Sequence, residues 1–248
     1  VDTTGPAKWA SGTFEGKPFV ASGIADDQLT VDLAVLDKPD VPDKAAVDKK
    51  MQKVLGIDTD GTGVYGAQSK GREAPNLRPI PSHLQDLIAA YTGPYSGEIN
   101  RPLWKKTANK DQRELANMLS QGIRMGKPYV GLSTRGISLD ADALEDWTKR
   151  MTAAQDSEKP VRILAFASST KGPTPAFDRN VWIRMKGKNG LHVNAISQHK
   201  GSEDEILFAH NSDFMVEGLE KKGDRTIIYL REVDTTTIDD DLKFSEGK

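Results

Sequence analysis

The chain has no cysteine among its 248 residues. That excludes disulfides, zinc-thiolate sites and thiol nucleophiles, and it leaves the compartment unread from redox chemistry. Long apolar runs are missing too. None approaches the roughly 20 residues that a membrane-spanning helix needs, and the opening VDTTGPAKWASG lacks the basic-then-apolar order of a signal peptide. No charge of one sign dominates. With 34 Lys and Arg against 36 Asp and Glu, the formal net charge is -2, so there is no global basic field to recruit nucleic acid or anionic lipid. Neither nucleic acid nor a membrane-spanning segment is expected. The four histidines, His83, His192, His199 and His210, include no i, i+4 pair, so no metal site is expected. A G-x-S-x-G elbow and a Walker loop are absent as well, and most hydrolase and kinase chemistries go with them. The chain starts at Val1 rather than Met, which fits a mature product after signal removal and an excised piece equally.

What is present suits a buried core, with 37% apolar and 28% charged residues in 27.1 kDa. Residues 1–80 read as an extension or subregion. They hold scattered aromatics (Trp9, Phe14, Phe19), a strand-like QLTVDLAVL, a linker LDKPDVPDK, a short helix AAVDKKMQKVL and a long Gly/Pro-rich loop. From Ser82 the apolar period becomes helical through SHLQDLIAAY, GEINRPLWKK and KDQRELANMLSQGIRM. Beyond Lys127 the pattern turns to strands: PYVGLSTRGI, then VRILAFASS after a helix DADALEDWTKRM, then NVWIRMK, GLHVNAI, DEILFA, DFMVEGLEK and DRTIIYLREV. Helices first and strands later predict an α+β core over 81–235, followed by an acidic tail at 236–248. No internal repeat is visible.

Two tempting patterns fail on context. GTGVYG, residues 61–66, matches G-x-G-x-x-G, but DTD precedes it and AQSKGREAP follows, so the strand before and helix after that a dinucleotide fingerprint requires are missing. Asp58 and Asp60 match the start of a calcium loop whose twelfth position is Ser69 rather than a glutamate.

GSEDEILF, residues 201–208, places Glu203 and Glu205 one residue apart in front of an apolar run. In a strand the two would share a face and repel. With 12 glutamates in the chain, roughly 0.6 such pairs arise by chance, so the pair alone says nothing. Order has to carry the case. PYVGLSTRGI ends in Arg135 and Gly136: a guanidinium fork suits a phosphate, and a glycine lets backbone approach a flat ligand, while a surface arginine before a turn reads equally. LAFASSTKGP ends in Ser168, Ser169 and Thr170, hydroxyls able to brace a neighbouring carboxylate or to form a plain polar strand end. PAFDRNVWIRM offers Phe177 for stacking and Arg179 for phosphate, or a core phenylalanine with an exposed arginine.

Taken in order from about Tyr91 to Val233, these residues resemble the mono-ADP-ribosyltransferases of the Arg-Ser-Glu type, bacterial toxins such as the enzymatic subunits of clostridial binary toxins. YTGPYSGEIN, residues 91–100, is similar to the family's tyrosine-bearing helical segment. Two departures stand: the triplet reads Ser-Ser-Thr, so only Ser168 carries over, and Phe177 and Arg179 are one residue closer than the family spacing.

The resemblance implies a core of two packed, mainly antiparallel sheets with flanking helices and NAD, as substrate, in the cleft between them. It implies that Glu205 stabilises the oxocarbenium-like ribose as nicotinamide leaves and that Glu203 orients the acceptor guanidinium. Ser168 would brace Glu205, Arg135 and Arg179 would hold the diphosphate, and Gly136 the nicotinamide amide. Tyr91 or Tyr95 would form a cleft wall, and Gln198, His199 and Lys200 would meet the protein substrate. The implied protein is a monomeric, arginine-specific toxin, secreted by a bacterium and acting on a host protein inside the cell. An NAD glycohydrolase, and a phage or secretion-system NAD-binding protein with little catalysis, remain the alternatives.

Overall fold

The computed structural model describes residues 9–14, 17–22, 41–57, 69–198, 203–234 and 243–244. The chain divides into two units, 1–42 and 43–248. In the first, β1 (Trp9–Phe14) and β2 (Lys17–Ser22) pair antiparallel, Trp9 opposite Ser22. QLTVDLAVL, GTGVYG, Asp58 and Asp60 lie outside the described residues.

The second unit begins with a helical layer: α1 (Lys44–Leu55), α2 (Ser69–Arg72), α3 (Ser82–Tyr91), α4 (Ser96–Trp104) and α5 (Lys110–Met125). Asp43 starts α1 by accepting the Ala46 N–H at 2.7 Å, and Gly56 ends it at φ +67°, the left-handed turn that glycine adopts without strain. Val47, Met51 and Leu55 recur every four residues along one face, and all three are buried with Leu84, Leu87, Leu115 and Leu119 of α3 and α5. Ile57, Leu77 and Ile80 join the same core. Within the stretch 1–80, residues 1–42 form the first unit, while α1, Ile57, Leu77 and Ile80 pack in the second. An apolar helical stripe needs a partner surface, each buried Val, Leu or Met being worth roughly 1.5–3 kcal/mol, and here α3 and α5 supply it.

Strands β3 (Pro128–Ile137), β4 (Val161–Ile163), β5 (Ala167–Lys171), β6 (Val181–His192), β7 (Glu205–Phe208), β8 (Ser212–Lys222), β9 (Arg225–Val233) and β10 (Lys243–Phe244) follow, with α6 (Ala141–Asp156) between β3 and β4. Their order is β10-β4-β8-β9-β6-β3-β5-β7, and β7 also pairs with the end of β6. The α+β class stands as expected. In place of two separate sheets, hydrogen bonding runs through β6 and β3 to join both halves into one curled sheet. Its pairs are antiparallel except β6 with β9 and β4 with β10. β7 is buried along its whole length. Leu207 points into the helical core, while Ile206 and Phe208 enter a second core under Trp147 and Met151 of α6.

Two strand expectations change. VRILAFASS is not one strand but β4 and β5, because the backbone of Phe166 bonds a side chain instead of a strand: its N–H donates to Asn100 Oδ1 at 3.0 Å, and its carbonyl accepts from Asn100 Nδ2 at 3.2 Å and Tyr91 Oη at 3.3 Å. NVWIRMK and GLHVNAI are not two strands but the single β6. The intervening glycines make room rather than a turn, since a Cβ on Gly187 would meet the Phe208 ring at 2.6 Å. The N–H groups of Lys188 and Asn189 there donate to buried Glu232 at 2.6 and 2.8 Å.

Candidate active site

Glu205 opens β7 opposite Thr170 of β5 and is only 4% exposed. A carboxylate buried to that extent needs donors. Ser168 Oγ, on β5, donates to its Oε1 at 2.6 Å, and Ser197 Oγ donates to its Oε2 at 3.0 Å. Arg135, on β3, donates from Nη1 to the Ser168 carbonyl at 2.9 Å. Adjacent strands thus carry one continuous chain, from guanidinium through serine to carboxylate. The other two hydroxyls of the triplet have separate work. Ser169 Oγ lies 2.9 Å from Ser133 Oγ and 3.2 Å from the Ile206 carbonyl, which ties β3, β5 and β7 together. Thr170 Oγ1 accepts the Ala176 N–H at 2.8 Å, which holds down the loop that carries Phe177.

Arg135, Ser168, Ser169, Thr170 and Glu205 face a cavity of about 630 Å³ between the α3–α4 wall and the sheet, lined also by Glu203, Gly136, Phe177 and Tyr91. Its size suits a small-molecule site. A second cavity of about 460 Å³ near Asp213 and Glu232 contains none of the candidate residues. Its carboxylates are already engaged, Asp213 by Arg162 at 2.7 and 2.8 Å and Glu232 by the two backbone N–H groups named above. Among the described residues no cluster of three His, Asp or Glu is placed to hold a metal.

Glu203 departs from the geometry expected of it. It sits on a bend before β7 rather than in the strand, and Asp204 between the two glutamates has φ +38°. Both glutamates reach the cavity without standing as strand neighbours, Glu205 buried and Glu203 half-buried.

Gly136 needs to be glycine for a reason the sequence does not show. A Cβ there would meet the Phe177 backbone carbonyl at 1.9 Å, so the 175–177 loop crosses directly over β3. On the NAD site that the resemblance implies, Gly136→Ala is expected to lift that loop and with it Phe177, raising the KM for NAD by about tenfold or more while the melting temperature moves by a few degrees. Steady-state NAD kinetics beside a thermal melt checks this. Phe177 is 56% exposed at the cleft, not a core residue.

Tyr91 lines the cavity yet is 2% exposed, its hydroxyl joined to the Phe166 carbonyl and to Asn100 Nδ2 at 2.8 Å. It braces the wall more than it offers a free face. The structure does not bring Tyr95 or Arg179 to the cavity. Tyr95 turns into the helical core at the start of α4, and Arg179 is exposed beyond Phe177, its guanidinium carbon 6.0 Å from that ring. Gln198 is exposed at the rim, its N–H donating to Thr92 Oγ1 at 3.1 Å, while His199 and Lys200 lie outside the described residues. Ser197 was missed by sequence reasoning. A lone serine in AISQHK has no distinguishing pattern, and only the pairing of β6 with β7 would have brought it to Glu205.

No protein-family model matches the chain. A Mycobacterium avium protein provisionally named an NAD(+)-arginine ADP-ribosyltransferase, Mav, is 28% identical over 165 residues, 63% of this chain and 18% of that protein. The chain thus spans less than a fifth of that relative's length. Among solved structures, Exoenzyme S of Pseudomonas aeruginosa, determined with carba-NAD bound, aligns at TM-score 0.55 and 17% identity over 76% of this chain and 88% of its own. The ADP-ribosyltransferase HopU1 of Pseudomonas syringae aligns at 0.52 and 20% over 75% and 87%. The chain therefore has the fold of the bacterial ADP-ribosyltransferases, the group that its Arg135, Ser168, Glu203 and Glu205 resemble.

Proposed function

We propose that the protein is an NAD-dependent mono-ADP-ribosyltransferase acting on arginine. The observation that carries this reading is the buried Glu205 carboxylate, held by two hydroxyls in a cleft that also receives Glu203. As the C1′–N bond of NAD breaks, nicotinamide takes the electron pair and leaves as a neutral base, so no general acid is needed. Positive charge grows on the ribose instead. Glu205 is fixed in advance to oppose it, and preorganised charge of this kind is effective because nothing has to reorganise during the reaction. The acceptor guanidinium is protonated at any ordinary pH, since its pKa exceeds roughly 12. One of its nitrogens bonds to C1′ while Glu203 receives the proton that nitrogen gives up. Arg135 would reach the diphosphate, Phe177 would cover the nicotinamide end, and Gln198 would meet the acceptor protein at the rim.

A host protein as acceptor, and secretion by a bacterium into a host cell, follow from the resemblance to bacterial toxins and belong to the same proposal. Nicotinamide release from labelled NAD, with and without agmatine as a free guanidine acceptor, tests the activity. Labelled agmatine supports transfer. Release with no labelling at any agmatine concentration points to a glycohydrolase, and intact NAD leaves a binding protein.

A further inference from the structure

The residue between the two glutamates has its own partner. Asp204 lies at φ +38°, a left-handed conformation that L-residues other than Asn and Asp rarely adopt and that its surroundings help to hold. Two contacts do so from opposite strands. Its carbonyl accepts the Lys171 N–H at 3.0 Å, at the end of β5, and its carboxylate sits 2.5 Å from His192 Nε2, the last residue of β6. An ionised carboxylate only accepts, so Nε2–H is the donor. His192 is itself in register with Ile206 of β7, and Val193 N–H donates to the Glu205 carbonyl at 3.0 Å. The imidazole therefore stands on the strand next to the one that Glu205 opens.

The backbone step at Asp204 decides where Glu203 goes. Were Asp204 extended, Glu203 and Glu205 would fall in line on one strand face, two carboxylates in repulsion. The kink takes Glu203 out of the strand and to the cleft while Glu205 stays in place. Neither Asp204 nor His192 lines the cavity; their side chains pair away from it, 48% and 34% exposed.

We infer that His192 and Asp204 form a positioning pair that fixes the kink and so aims Glu203 at the acceptor, governing transfer to guanidine rather than cleavage of NAD. The inference rests on the transferase reading. It concerns a pair outside the reacting groups, and so it makes a prediction that a merely structural role does not: transfer and cleavage should separate.

The test measures agmatine labelling and nicotinamide release side by side for the wild type, His192→Ala, Asp204→Ala and Asp204→Asn, with thermal melts as controls. Expected for both alanine variants is a tenfold or greater loss of labelling, with release in the absence of agmatine within threefold of wild type. Asparagine accepts from Nε2–H and tolerates a left-handed backbone, so Asp204→Asn is expected to restore most of the labelling. Parallel falls of labelling and release in the alanine variants, or no change in either, overturn the inference and leave the transferase reading standing. A wild type that cleaves no NAD overturns both.

Discussion

Glu205→Gln is expected to reduce nicotinamide release and agmatine labelling together by at least about two orders of magnitude, the loss seen when a preorganised electrostatic group is removed from a reacting centre. Glutamine keeps the shape: its amide oxygen can accept from one of Ser168 and Ser197 while its amide N–H donates to the other hydroxyl, so the fold and the affinity for NAD should survive. What disappears is the negative charge facing the ribose. On the proposed mechanism both reactions pass through the same cationic sugar, so both are expected to fall. Glu203→Gln should behave differently. Its carboxylate is half-buried, beyond the kink, and in the proposed reaction its work begins only when a guanidinium must lose a proton. Release into water should remain within a few-fold of wild type, while labelling falls by about 10² to 10⁴, the range for removal of a positioned base. Radiolabelled NAD with agmatine measures both in one tube. Equal losses in the two variants would sink the division of roles. A Glu205→Gln protein with full release would remove Glu205 from the chemistry altogether.

How far this site could be read from sequence depends on how local each signal is. PYVGLSTRGI is β3 with its own boundaries, and DEILFA contains β7 as its central EILF, because period and turn chemistry act over a few residues. Arg135, Ser168 and Glu205 were legible as an ordered set, and they meet in space because strand neighbours bring them together. Ser197 was not legible, since its bond to Glu205 depends on the β6–β7 pairing and a serine has no periodicity. The break between β4 and β5 was hidden for a similar reason: the amide that replaces a strand beside Phe166 belongs to Asn100, 66 residues away. The alternation rule applied to Glu203 and Glu205 assumed an extended Asp204, and one positive φ undoes it. The packing of α1 was not legible because a linker-flanked helix looks alike from sequence whether it docks on a core or stands apart. Only the partner surface on α3 and α5 decides.

Acid is expected to destabilise the fold through a buried histidine just past β7. His210 is 8% exposed, with Ser120 Oγ 2.5 Å from its Nδ1 and the Phe166 ring centroid 5.2 Å away. Burial, with Arg124 adding a like charge, holds its pKa down to about 4. The sign follows from proton counting. Between pH 6.5 and about 4 the unfolded chain binds a proton at this residue that the folded one refuses, so stability is full above pH 6.5 and falls as the pH drops. The slope approaches about 1.4 kcal/mol per pH unit for one proton, and the total is about 3 kcal/mol, a large share of an ordinary domain's stability. Urea unfolding of the wild type and His210→Leu at pH 7, 6, 5 and 4.5 checks this. The variant should lose the extra slope, and equal slopes would show that carboxylates alone account for acid sensitivity. The position gives the effect a route to the site. Phe166, on which the imidazole packs, has its backbone pinned by Asn100 and Tyr91 two residues before Ser168. Charging His210 would strain the seam that sets β5, so activity on the acid side should fade in step with local unfolding there.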